Sequence, residues 1–140
     1  MENYFNINDY QQLNEIDNKN IVYSIIITKN FLITSELNSL KIFDINDYKL
    51  VKILDNNDAN PNENIIIYIT LLKNLNLAYS KGNFVKILNI ENFEIKSLKG
   101  HSKEVIFVIE LKNNNLASSS FDNTIIIWEN KNNNYEFIKY

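Results

Sequence analysis

Apolar residues in this chain come in short, dense runs separated by polar punctuation, and few stretches sustain the three-and-four spacing of a helix. Ile21 to Ile27, Ile65 to Ile69 and Val105 to Ile109 are rich in β-branched and aromatic side chains, which favour extended backbone. A Lys-Asn pair follows each run: Lys29-Asn30, Lys73-Asn74 and Lys112-Asn113. Asparagine tolerates the left-handed backbone of tight turns, so it can replace the glycine this chain lacks. Triplets such as Ile25-Ile26-Ile27 are apolar at consecutive positions and predict strands buried on both faces. A two-layer sandwich would alternate instead.

The pattern repeats. Phe5-Asn6-Ile7-Asn8-Asp9-Tyr10 returns as Phe43-Asp44-Ile45-Asn46-Asp47-Tyr48 after 38 residues, and in degraded form as Leu88-Asn89-Ile90-Glu91-Asn92-Phe93 after 45 more. Trp128-Glu129-Asn130 takes the same place 40 residues later. The later copies follow Leu40-Lys41-Ile42, Val85-Lys86-Ile87 and Ile125-Ile126-Ile127. The longer middle interval is explained by the loop Asn56 to Asn64, which holds the only proline, Pro61. A period of about 40 residues is that of a propeller blade or a helical solenoid unit. The strand chemistry selects the blade.

The last third carries the specific motif. Gly100-His101 precedes Trp128-Glu129 by 27 residues, and Val105, Val108, Leu111 and the run Leu116 to Trp128 lie between. This segment resembles a WD-repeat blade, whose pattern opens with Gly-His and closes with Trp-Asp. By that resemblance Val105 to Leu111 is the inner strand, Leu116 to Ser120 the second, Thr124 to Trp128 the third and Tyr135 to Tyr140 the outer one. The other two units are less complete. The first has Phe43-Asp44 at the closing pair, no Gly-His opening, and Leu37 where the turn Asp would stand. The second closes with Leu88-Asn89, its turn shortened to Lys81-Gly82-Asn83.

The resemblance implies an all-β fold: a partial, open WD-repeat β-propeller of three four-stranded antiparallel blades over 21–54, 65–98 and 105–140, in one domain spanning 1–140. Residues 5–16 would be the outer strand of an incomplete blade. Closed propellers use about 4 to 8 blades. Three therefore leave two apolar terminal faces, to be covered by missing sequence, a partner or self-association.

Composition narrows the chemistry. With 140 residues, 45% hydrophobic and 22% charged, there is material for one domain with a real core. Fourteen basic residues, all lysine, face 17 acidic ones for a net charge of -3. That balance argues against nucleic acid as a partner. The absence of cysteine excludes disulfides, thiolate metal sites and a cysteine nucleophile. The single histidine argues against a His-rich metal site, and Gly82 and Gly100 stand too far apart for a phosphate loop. Asp44, Asp47, Asp55 and Asp58 lack the spacing of a calcium loop. Lys96, Lys99 and Lys103 lie beside Glu94 and Glu104 as a solvated face. No cofactor or metal is expected. The start lacks a signal peptide's pattern, and the apolar stretch near Ile65 to Leu72 is far short of the ~20 residues of a membrane span. An intracellular protein, cytoplasmic or nuclear, is expected, with no membrane partner.

His101, Ser118 and Asp122 invite reading as a catalytic set, but nothing supplies a strained nucleophile turn or an oxyanion hole. The resemblance implies instead a structural hydrogen-bond network of His101, Asp122 and Trp128, with Ser118 or Ser120 as the hydroxyl. Phe121 sits on the loop that in this family faces partners, and Glu36 and Lys81 are assigned the same place in the other two blades. These three residues are the protein-binding candidates. The expected function is a non-enzymatic protein–protein interaction scaffold within a larger propeller or complex. The alternatives are an RNA-associated subunit of a ribonucleoprotein assembly and a small hydrolase using His101.

Overall fold

A computed structural model describes residues 20–55, 65–66 and 68–138. The copy of the repeat at 5–16, the loop 56–64 and residues 139–140 lie outside them. The described residues form three four-stranded antiparallel meanders. The first comprises β1 (Ser24–Ile27), β2 (Phe31–Ser35), β3 (Leu40–Asp44) and β4 (Leu50–Leu54). In the second are β5 (Ile69–Leu71), β6 (Leu77–Lys81), β7 (Phe84–Leu88) and β8 (Ile95–Lys99). The third has β9 (Val105–Glu110), β10 (Leu116–Ser120), β11 (Ile125–Lys131) and β12 (Asn134–Ile138).

Several strands differ from their expected extents: β1 starts at Ser24 and not at Ile21, β9 ends at Glu110 and not at Leu111, and β12 starts at Asn134 and not at Tyr135. β5 starts at Ile69 and not at Ile65, because the Ile66 amide is drawn away to the Leu37 carbonyl of the first sheet (3.2 Å). β11 runs past Trp128 to Lys131, because its hairpin with β12 turns tightly through Asn132 and Asn133, both left-handed.

Leu32 opposes Phe43, Leu77 opposes Leu88 and Leu116 opposes Trp128. These pairs let the three sheets be matched position for position. The sheets lie face to face in chain order. Ile33, Leu40 and Ile42 of the first meet Ile69, Leu77, Tyr79 and Leu88 of the second in one apolar layer. Ala78, Val85, Ile87 and Leu98 on the second sheet's other face meet Val108, Leu116, Ile126 and Trp128 of the third in another. Hence β6 is buried at every residue, on both faces. Apolar transfer at roughly 25 cal/mol per Å² makes these layers the main source of stability.

Burial on both faces is complete along β6, whereas the two end sheets carry exposed apolar side chains, although Thr34 and Phe43 on the first sheet's far face are 4% exposed. Ile25 and Ile27 are exposed on β1, and Ile125 is exposed on β11. The cause is position: the first and third sheets each have a described neighbour on one side only.

Turn chemistry follows the repeat. The carboxyl or amide at Asp44 and Asn89 opens equivalent turns in which the Tyr48 amide donates to Asp44 O (2.9 Å) and the Phe93 amide to Asn89 O (2.8 Å). Tyr48 and Phe93, the last aromatic of each repeated hexapeptide, take left-handed backbone. Asparagine fills that role at positions 114, 123, 132 and 133.

Candidate functional site

The third sheet carries one buried chain of hydrogen bonds. Trp128 Nε1 donates to Ser118 Oγ at 2.9 Å, and Ser118 Oγ lies 2.8 Å from His101 Nε2. His101 Nδ1 lies 2.9 Å from Asp122 Oδ2. One assignment satisfies all of these atoms: Nδ1–H donates to the carboxylate, and the Ser118 hydroxyl donates to Nε2. Cross-strand register brings the groups together, since Ser118 on β10 lies two residues along from Leu116, on the same face, and Leu116 opposes Trp128 on β11. Thr124 completes the turn, its hydroxyl donating to Asp122 Oδ1 at 2.6 Å, and the Ser102 amide donates to Oδ2 at 3.0 Å. Thr124's hydroxyl first, then the Ser102 amide and His101, hold the Asp122 carboxyl well below the usual carboxylate range against the opposing effect of burial.

Ser120 stands outside this chain. Its hydroxyl donates to Lys103 O (3.0 Å) and accepts the Asp122 amide (3.1 Å). Gly100 is explained by the same packing: a Cβ there would lie 2.9 Å from Trp128 Cη2 and 3.0 Å from Ile126 Cδ1. The Gly-His pair lets backbone run against the indole.

Phe121 occupies the tip of the β10–β11 turn and is 61% exposed. Its backbone is pinned, because the Phe121 amide donates to Glu104 O (3.0 Å) and the Asn123 amide to Ser120 O (3.2 Å). Glu36 and Lys81 do not share its place. Counted from the paired leucines, both match Ser120, and they are 1% and 6% exposed. The hairpins after β2 and β6 are one residue shorter than that after β10, which shifts the alignment by one. Leu37 and Gly82 are the equivalents of Phe121. The expectation that Glu36 and Lys81 face partners is corrected by this burial.

These two residues instead anchor polar clusters absent from the sequence expectation. Glu36 pairs with Lys41 Nζ at 2.7 Å and accepts from Asn20 Nδ2 at 3.0 Å. In the second sheet, Tyr79 occupies the position of Ser118 and its hydroxyl donates to Asp55 Oδ2, beyond β4 of the first sheet. Lys81 and Lys86 each approach Asp55 Oδ1 to 3.8 Å, and the Lys81 ammonium also donates to the Asp55 carbonyl. Burial first, and then the Asp55 charge, push the Tyr79 phenol far above its ordinary value, so it stays protonated and donates. The visible signal for both clusters is Lys41 and Lys86, each set between apolar neighbours at the same point of the repeat.

A groove of about 590 Å³ lies at the opposite end of the meanders, bounded by Thr28, Asn30, Phe31, Leu75, Asn89 and Phe93. A second, of about 410 Å³, lies beside Gly100, Asp122, Thr124 and Phe137. Among the described residues no cluster of His, Asp or Glu is placed to hold a metal, and no helix is long and apolar enough to cross a membrane.

No family model matches the sequence, and no curated protein matches it. Solved structures do resemble the fold. The RRP9 WD40 repeats align with a TM-score of 0.70 at 12% identity, over 88% of this chain and 40% of that one. U3-55K gives 0.69 at 12% identity, with the same coverage. The WD40 β-propeller domain of Doa1 gives 0.65 at 15% identity, over 85% of this chain and 40% of that one. The chain thus spans about two fifths of the length of each of these structures. Three meanders stacked face to face, the Gly-His-to-Trp network in the last, and this likeness together identify the fold as a partial WD-repeat β-propeller.

Proposed function

We propose that the chain is a non-enzymatic scaffold that binds other proteins through the rim bearing the β10–β11 turn. The observation that carries this reading is Phe121, an aromatic ring held out to solvent on backbone that neighbouring amides and carbonyls pin in place. A rigid, exposed aromatic loses little entropy on binding and is the usual kind of interface anchor. The non-enzymatic part draws support from His101. The only histidine is buried, and both ring nitrogens are engaged within the blade. A general base needs a nitrogen directed at a substrate. We further propose an intracellular setting, with the chain acting within a larger propeller or multi-subunit assembly.

The test is capture of a partner from the native cell extract, identified by mass spectrometry and then titrated as a purified protein. Phe121→Ala should weaken its binding about tenfold or more, as loss of an anchor does, with the melting temperature unchanged. Equal affinity for the variant and the unaltered chain would remove Phe121 from the reading. Ester hydrolysis abolished by His101→Ala in a folded protein would contradict the non-enzymatic part.

A further inference from the structure

We propose that the outer edge of the first sheet, strand β4, docks an extended segment of another protein. That segment adds a strand to the sheet, with apolar residues beside Val51 and Ile53 and an acidic residue beside Lys52. β4 pairs with β3 on one side, and among the described residues no strand lies on the other. Its sequence, Leu50-Val51-Lys52-Ile53-Leu54, is exposed at every residue but the last. Leu50, Val51 and Ile53 are 50%, 49% and 41% exposed.

The equivalent strands of the other two sheets are different. In β8 the exposed residues are Lys96, Ser97 and Lys99, and in β12 they are Asn134, Glu136 and Phe137. Edge strands are ordinarily guarded by charged side chains, because their outward N–H and C=O groups are a template for a further strand. β4 instead sets β-branched side chains, which favour extended backbone, along those groups. Leu40 and Val85 hold the same place in the repeat, and Leu54 opposes the one as Leu98 opposes the other. Ile53 therefore stands where Ser97 stands in the second sheet. Val51 has no counterpart; it is the extra residue of a bulge, since Ile42 pairs with Lys52 and Phe43 with Leu50. Leu50 corresponds to Ile95, which packs on the neighbouring sheet, so its exposure depends on what flanks the first sheet. The openness of position 53 does not, because Ser97 is exposed with a sheet on either flank of its own.

Main chain and charge define the occupant. An added strand satisfies a row of main-chain donors and acceptors, and its alternate side chains give the specificity. Lys52 forms no ion pair among the described residues, and its ammonium lies 4.9 Å from the centre of the Phe93 ring. It favours an acidic residue across the new seam. A second copy of this chain, paired edge to edge, would bring the Lys52 ammonium groups of both copies into one seam, and like charges there are destabilising. The edge lies apart from the β10–β11 turn, so this docking site and the role of Phe121 fail separately.

The test is titration of the isotopically labelled full chain with a short blocked peptide of alternating valine and glutamate, followed by amide chemical shifts. Saturable shifts should appear along β4 and in β3 behind it, and a valine–lysine peptide of the same length should give none. Ile53→Ser, which installs the residue of β8 at an exposed position, should keep the melting temperature and weaken the glutamate peptide about tenfold. Lys52→Glu should reverse the preference, so that the lysine peptide binds and the glutamate peptide does not. Phe121→Ala should bind like the unaltered chain. Unmoved β4 amides at millimolar glutamate peptide overturn the proposal, as does equal binding of the two peptides. So do β4 shifts that grow with chain concentration in the absence of peptide, which would make a second copy the occupant.

Discussion

His101 sits between Ser118 and Asp122, and the Thr124 hydroxyl also lies 3.2 Å from its Nδ1. Removing its ring leaves the Ser118 hydroxyl without its acceptor and the Asp122 carboxylate without one of its donors, inside or at the edge of a packed layer. His101→Ala should lower stability by about 1–3 kcal/mol, read from urea or thermal melts, since unsatisfied buried groups cost about that much. A change within error would mean that solvent replaces the ring freely. Asp122 adds a pH signature. Its folded pKa lies below the unfolded value of about 3.9. The stability it contributes is therefore complete above that value and is lost as pH falls through the folded pKa. Melting temperature against pH should drop on the acid side of about pH 4, and Asp122→Asn should flatten that drop. Asp47 and Glu136 are lowered as well, by hydrogen bonds from Lys49 and Lys131. Those pairs are exposed and screened by salt, so repeating the series at high salt isolates the part due to Asp122.

At the scale of strands and turns, the first turn of each meander tests the idea that asparagine replaces glycine. Leu75 and Asn114 are equivalent: the Leu75 amide donates to Leu72 O as the Asn114 amide donates to Leu111 O, and both have left-handed backbone. Leucine is strained there by roughly 1 kcal/mol and is also exposed. Leu75→Asn should therefore raise the melting temperature by about 2–5 °C; a fall would show that Leu75 makes packing contacts that outweigh the strain. The same repeat explains what could be read from the chain alone. Phe43, Leu88 and Trp128 mark one strand position in all three meanders, and the apolar runs before them locate the third strands. Gly100, His101, Asp122 and Trp128 were legible because their spacing within one blade is fixed by register. Spacing left Ser118 and Ser120 open, since both share a face and only the cross-strand partner of Trp128 distinguishes them. Glu36 and Lys81 were misplaced because apolar pattern does not report hairpin length. The cluster of Tyr79, Asp55, Lys81 and Lys86 escaped for a different reason: Asp55 follows the last strand of one sheet and the others belong to the next, so no single repeat contains it.

Over the whole molecule, the claim on which the rest depends is that the three meanders are wedges stacked flank to flank and stabilised by the two layers between them. Residue-resolved amide hydrogen exchange under native conditions tests this most directly, because protection reports the opening free energy of each strand. The slowest exchange is expected in β6 and β7 of the central sheet, opening only with the entire fold. The Ile66 and Val105 amides at the two seams should be protected as well. Three sheets exchanging independently, with the Ile66 and Val105 amides unprotected, would contradict that stacking.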